Sequence, residues 1–129
     1  MKLGVVGMGR MGAAIANRLL DLDHEVTVWN RTAHKAQALA AAGAKAASTP
    51  AELVGRAEFI ISILSNAEAV EQAYRGAQGL LSGDVRRKLF IEMSTVRPQT
   101  ERALAETVRS KGAAMIECPV GGTVGPARD

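Results

Sequence analysis

The sequence predicts an α/β fold, a doubly wound parallel sheet, and three observations carry that expectation. Short apolar runs, mostly rich in β-branched residues, recur along the chain. Helical segments lie between them, so the strands pair in parallel through right-handed crossovers rather than as hairpins. A glycine-rich turn, Gly7-Met8-Gly9-Arg10-Met11-Gly12, follows the first run and opens the first helix.

The runs at Lys2–Val6, Glu25–Trp29, residues 59–64, residues 89–93 and Ala114–Glu117 read as strands, with residues 44–47 as a weaker candidate at a sheet edge. Between the first two, Met11, Ile15, Leu19 and Leu22 recur at helical spacing and form one apolar stripe. Residues 33–42 read as a helix by propensity, with Leu39 inward and Gly43 as its stop. Thr49-Pro50-Ala51-Glu52 supplies a hydroxyl N-cap, a proline at the first helical position and a glutamate two positions later. Ser65-Asn66-Ala67-Glu68 repeats that device. A last helix runs from Pro98 to Lys111, with Leu104 and Val108 on one side and Gly112 ending it. The order is βαβαβαβαβαβ, with no repeat, low-complexity segment or linker, so residues 1–129 read as one domain.

Composition narrows the function classes. At 129 residues and 47% hydrophobic, the chain can build one core. The net charge of +3 is scattered, apart from Arg86-Arg87-Lys88 in an expected surface loop. No basic stripe with stacking aromatics is present, which argues against nucleic acid as a partner. Cys118 is the single cysteine, so no intrachain disulfide or thiolate metal cluster is expected, and the cytoplasm is the default compartment. The N-terminal apolar stretch is too short for a signal peptide and is interrupted by Arg10. No membrane span is expected. Cys118 is expected to pack at a strand end. His24 and His34 lack the neighbours of a metal site, and no spacing recommends a hydrolase arrangement.

Each glycine of the turn has its own task. Gly7 permits the tight exit from the strand, Gly9 lets backbone approach a pyrophosphate, and Gly12 lets the helix lie close on the sheet. The helix opening near Arg10 offers unpaired N–H groups and a positive dipole end to phosphates. Following a strand and preceding another of proper length, the turn reads as a Rossmann-type dinucleotide site, with Gly7, Met8, Gly9, Arg10, Met11 and Gly12 at the coenzyme.

The tip of the second strand selects the coenzyme. NAD sites usually carry Asp or Glu there for the ribose 2′-hydroxyl. This chain has Asn30, Arg31 and Thr32, with Lys35 within reach. A carboxylate would repel a 2′-phosphate, whereas a guanidinium pairs with phosphate oxygens or stacks on adenine. Thr32 serves as a helix N-cap, a phosphate ligand or both. NADP is favoured over NAD, with dual use open. The same residues disfavour S-adenosylmethionine, which typically wants an acid at this tip.

These motifs, with Val28-Trp29-Asn30-Arg31-Thr32, Glu92-Met93-Ser94-Thr95 and Glu117-Cys118-Pro119-Val120-Gly121-Gly122, resemble the β-hydroxyacid dehydrogenase family over essentially the whole chain. That family includes 3-hydroxyisobutyrate dehydrogenases, tartronate semialdehyde reductases and glyoxylate/succinic semialdehyde reductases. The resemblance implies that Leu64 and Ser65 lie along the nicotinamide half and that Thr95 meets its ribose. It implies that Ser94, Gly121, Gly122 and Thr123 serve the substrate, a small 3-hydroxy acid or semialdehyde. The family often has serine where this chain has Gly121, so Thr123 is the expected hydroxyl donor. The family's catalytic lysine lies on a helix well beyond the substrate loop, and neither Lys88 nor Lys111 matches its motif. No catalytic residue is therefore assigned. The chain reads as the coenzyme-binding half of an enzyme without its second, helical domain, inactive when isolated and prone to self-association. A non-catalytic nucleotide-binding or scaffold module, and an enzyme of the 6-phosphogluconate dehydrogenase kind, are the alternatives.

Overall fold

The computed structural model describes residues 1–94 and 97–118. Its elements run β1 (Lys2–Val6), α1 (Arg10–Asp21), β2 (Glu25–Trp29), α2 (Ala33–Ala40), β3 (Lys45–Ala46), α3 (Pro50–Gly55), β4 (Phe59–Ser62), α4 (Ala67–Arg75), β5 (Leu89–Glu92), α5 (Pro98–Ser110) and β6 (Ala114–Glu117). The six strands form one sheet in the order β3-β2-β1-β4-β5-β6, with every pairing parallel. The chain starts in the middle, winds outward to β3, then returns to β4 and winds the other way. The reversal between β1 and β4 is the switch point at which such sheets open a crevice for ligands.

Side-chain alternation along the strands divides the core in two. Val5 and Val28 face α1 and α2, packing with Met8, Ala16, Ala36 and Leu39. Val6, Ile60 and Phe90 face the opposite side, where Leu53, Val70, Tyr74, Leu104 and Val108 cover them from α3, α4 and α5. Register aligns Val5 with Ile61, Ile91 and Ile116 across β1, β4, β5 and β6. Beyond β1 that row loses its cover: Ile61 and Ile91 are only partly buried and Ile116 is 51% exposed. Among the described residues no helix lies over this face of β4, β5 and β6.

Several ends differ from the sequence expectation for local reasons. β4 stops at Ser62 rather than at 64, because Ile63 N–H makes the last rung to Val6 O and Leu64 N–H turns to a side chain. β5 stops at Glu92 for a similar reason: Ser94 N–H is captured by the Glu92 carboxylate. Leu22 leaves the α1 stripe, since the helix ends at Asp21 and Leu22 is 50% exposed. Asn66, not Ser65, caps α4, its Oδ1 accepting from Ala69 N–H at 2.9 Å. Cys118 is exposed at the end of the edge strand rather than packed. Thr49 caps α3 as expected, its Oγ1 accepting from Glu52 N–H at 3.1 Å. Among the described residues no helix is long and apolar enough to cross a membrane, and no group of metal-ligating side chains assembles.

Candidate functional site: a coenzyme cleft

The glycine turn sits at the carboxyl end of β1, on the switch point. Gly7 has φ +100°, a conformation that a side chain disfavours, and a Cβ there would overlap Ile63 O. A Cβ on Gly12 would overlap Gly7 O, so its bareness lets α1 close onto the turn itself. Gly9 is different: a Cβ there meets nothing within 4 Å. Its surroundings are open, as a cradle for a pyrophosphate requires.

The turn is stitched to the tip of β2. Gly7 N–H donates to Trp29 O at 2.9 Å, and Met8 N–H donates to Asn30 Oδ1 at 2.8 Å. Asn30 Nδ2 then donates to Thr32 O at 3.1 Å. The Asn30 side chain thus builds the site as well as edging it. Met8, expected against the coenzyme, has its side chain in the core at 4% exposure and its N–H paired with Asn30, so only its backbone carbonyl edges the turn.

The helix starts around this cleft are of two chemical kinds. α3 and α4 are capped by Thr49 and Asn66 and carry Glu52 and Glu68 in their first turns. α1 and α2 have neither a side-chain cap bond nor an acidic residue in the first turn. Their free N–H groups and positive dipole ends are left for an outside anion. Thr32 is the α2 N-cap position, though its hydroxyl makes no capping bond, and Lys35 is exposed in the following turn.

Beside the β2 tip opens a cavity of about 290 Å³. Trp29, Pro50, Leu64, Ala69 and Ala73 give it apolar walls, and Arg31, Ser48, Thr49, Gln72 and Gln78 give it polar edges. Its size and its flat aromatic and aliphatic lining suit a purine ring. Arg31 is exposed at its rim and makes no ion pair among the described residues. Ser48, Gln72 and Gln78 were missed in the sequence. The available signal was position: Ser48 follows β3, and loops outside strand carboxyl ends line such crevices.

Leu64 borders the cavity and Ser65 is exposed beside it. Ser94 departs from expectation. It is 1% exposed, with Oγ accepting from Leu64 N–H at 2.7 Å, so its hydroxyl faces the interior rather than a substrate. Thr95, Gly121, Gly122 and Thr123 lie outside the described residues. Lys88 precedes β5 and Lys111 precedes β6, at the end of the sheet away from the cleft.

A parallel sheet ordered 3-2-1-4-5-6, a glycine turn at its switch point and an anion-seeking helix start together define a dinucleotide-binding domain. The family model described as the NAD binding domain of 6-phosphogluconate dehydrogenase matches residues 2–129. The chain belongs to that family, and it is an NAD(P)-binding domain. A solved structure, Psf3 in complex with NADP+ and 2-OPP, superposes with a TM-score of 0.89 at 36% identity, over 98% of this chain and 45% of that one. Mycobacterium tuberculosis 3-hydroxyisobutyrate dehydrogenase with L-serine gives 0.88 at 27% identity, over 99% and 43%. The cytokine-like nuclear factor N-PAC of Danio rerio is 38% identical over 122 residues, 95% of this chain and 26% of that protein. The chain therefore spans about a quarter of that relative and less than half of the two solved chains.

Proposed function

We propose that this chain is the coenzyme-binding part of an NADP-preferring oxidoreductase that interconverts a small 3-hydroxy acid and its semialdehyde. The observation that carries the coenzyme half is the pair of uncapped, acid-free helix starts, α1 beside Gly9 and α2 beside Arg31. The first suits the pyrophosphate. The second, with Arg31, Thr32 and Lys35, suits the 2′-phosphate, and Asn30 leaves that place without a repelling carboxylate. The cavity walled by Trp29 and Leu64 suits adenine.

When bound, the coenzyme supplies or accepts the hydride. This chain orients it: Gly7, Gly9 and Gly12 allow close backbone approach, Ser65 and Thr95 line the nicotinamide side, and Leu64 stands between the two halves, its side chain on the adenine cavity and its backbone in the turn toward the nicotinamide. Gly121, Gly122 and Thr123 are the proposed hold on the substrate carboxylate. The acid–base group and the rest of the substrate pocket belong to no described residue of this chain.

A second reading is a nucleotide-binding module without catalysis, and the relatives named cytokine-like nuclear factor N-PAC favour it. Titration with NADPH, NADH and adenosine 2′,5′-bisphosphate tests the coenzyme half. NADPH is expected to bind about tenfold tighter than NADH; equal affinities, or tighter NADH, reject the phosphate assignment. Turnover of 3-hydroxy acids by the full-length protein separates enzyme from scaffold. A cytoplasmic location goes with the enzyme reading and a nuclear one with the second, and cell fractionation would separate them.

A further inference from the structure

Below the crest of β4 and β5 lies a patch of polar side chains that no coenzyme contact explains. Ser62 and Glu92 are register partners on the two strands, and Tyr74 joins them from α4. All three are 0% exposed, and Ser94 beside them is 1%. Glu92 Oε1 accepts from Ser94 N–H at 3.0 Å, and Ser94 Oγ accepts from Leu64 N–H at 2.7 Å. On the other side, Ser62 Oγ, Tyr74 OH and Glu92 Oε2 neighbour one another without completing a hydrogen bond of good geometry. Burial raises the Glu92 carboxyl, and burial followed by the Glu92 charge raises the Tyr74 phenol. A buried carboxyl is costly where an apolar side chain would fill the same space.

Its position supplies a reason. In a sheet of this order the two nucleotides lie on either side of the switch point. The adenosine side is fixed by Arg31 and the cavity beside β2, so the nicotinamide side falls over the ends of β4 and β5. Those ends are the turns that Leu64 and Ser94 begin. We propose that Glu92 and Ser94 are positioning residues for the nicotinamide end of the coenzyme. Glu92 holds the turn after β5 through Ser94 N–H, and the Ser94 hydroxyl holds the turn after β4 through Leu64 N–H. The two turns keep one spacing as a result. Tyr74 packs beside this lattice from α4 without a completed hydrogen bond to it.

This inference rests on the coenzyme reading above, and the test separates the two. The full-length protein and its Ser94→Ala, Glu92→Leu and Glu92→Gln variants are titrated with NADPH and with adenosine 2′,5′-bisphosphate, which lacks the nicotinamide. Fluorescence of bound NADPH is recorded, since it reports the nicotinamide's surroundings. Ser94→Ala and Glu92→Leu should weaken NADPH about tenfold and move its emission toward that of free NADPH. The bisphosphate should lose severalfold less than NADPH does, since only the Leu64 side chain, and no polar contact of the lattice, reaches the adenine-side cavity. Glu92→Gln retains an acceptor oxygen for Ser94 N–H and should behave as the parent. Equal losses for both ligands, no loss for either, or a Glu92→Gln variant as weak as Glu92→Leu would each overturn the proposal. Should Glu92→Leu not fold, Ser94→Ala and Glu92→Gln alone make the comparison. A parent protein that fails to bind the bisphosphate sinks the coenzyme reading, and this inference with it.

Discussion

Asn30 Oδ1 accepts the Met8 N–H at 2.8 Å across a gap of 22 residues, joining the end of β2 to the glycine turn. The residue at the tip of β2 thus also holds the glycine turn in shape. Asn30→Asp keeps an acceptor oxygen for Met8 while adding a negative charge. We expect it to preserve stability and to move the NADPH:NADH affinity ratio about tenfold or more toward NADH. Asn30→Ala removes the acceptor and should weaken both coenzymes. Parallel titrations of the two variants check this pair of outcomes.

Arg31 lies at the cavity rim with no ion-pair partner among the described residues. Arg31→Ala should lower NADPH affinity by about 10- to 100-fold, the range of a charge-assisted phosphate contact. NADH, lacking the phosphate, should lose less than about threefold. Calorimetric titration distinguishes this from a general loss of binding.

Two glycines in one turn should fail in different ways. A methyl at Gly12 collides with Gly7 O, whereas a methyl at Gly9 meets open space. Gly12→Ala should therefore destabilise the domain by about 2 kcal/mol or more, through displacement of α1. Gly9→Ala should melt within a few degrees of the parent yet bind NADPH poorly. Thermal denaturation and titration of the same two proteins give the contrast directly.

Lys88 donates from Nζ to Val54 O and to Ala57 O, the latter at 2.6 Å, completing the end of α3 beneath the sheet. Lys88→Met would leave those carbonyls without that donor and should cost about 1–3 kcal/mol in urea denaturation. Lying at the opposite end of the strands from the cleft, it should leave coenzyme affinity unchanged.

Glu101 is 8% exposed in the first turn of α5. Burial raises its carboxyl above the ordinary value of 4.5, aided by a hydrogen bond with Glu117 and by the charges of Glu117 and Glu92. The folded state thus holds this proton more tightly than the unfolded chain. Its contribution is fully present below the ordinary carboxylate value and is lost as pH rises through the raised one. Glu101→Gln should remove that slope, giving about 1 kcal/mol more stability than the parent on the alkaline side of the window. Denaturation midpoints of both proteins across the window measure it.

The alternation of strands and helices was legible because it is written in local pattern, and so was the turn from Gly7 to Gly12. Residue types at the β2 tip suggested a place free of carboxylates, but charge reasoning alone hid the hydrogen bond from Met8 to Asn30. Ser94 was legible as part of a motif and not as a buried acceptor, since its partner Leu64 stands 30 residues away. The ends of β4 and β5 were overrun for that same reason: side chains take N–H groups that apolar pattern assigns to the ladder. The α4 cap slipped by one residue because Ser65 and Asn66 are both able cappers.

Sheets of this kind normally shield both sides, yet here shelter is lopsided, with Ile61, Ile91 and Ile116 in a row that no described helix roofs. Among the described residues the uncovered surface spans β4 to β6, whereas the cavity beside β2 opens toward α3 and α4. More polypeptide can be seated on that shelf while the grip on a dinucleotide stays intact. A domain arranged this way is suited to being a shared cassette, carried by proteins whose remaining bulk differs.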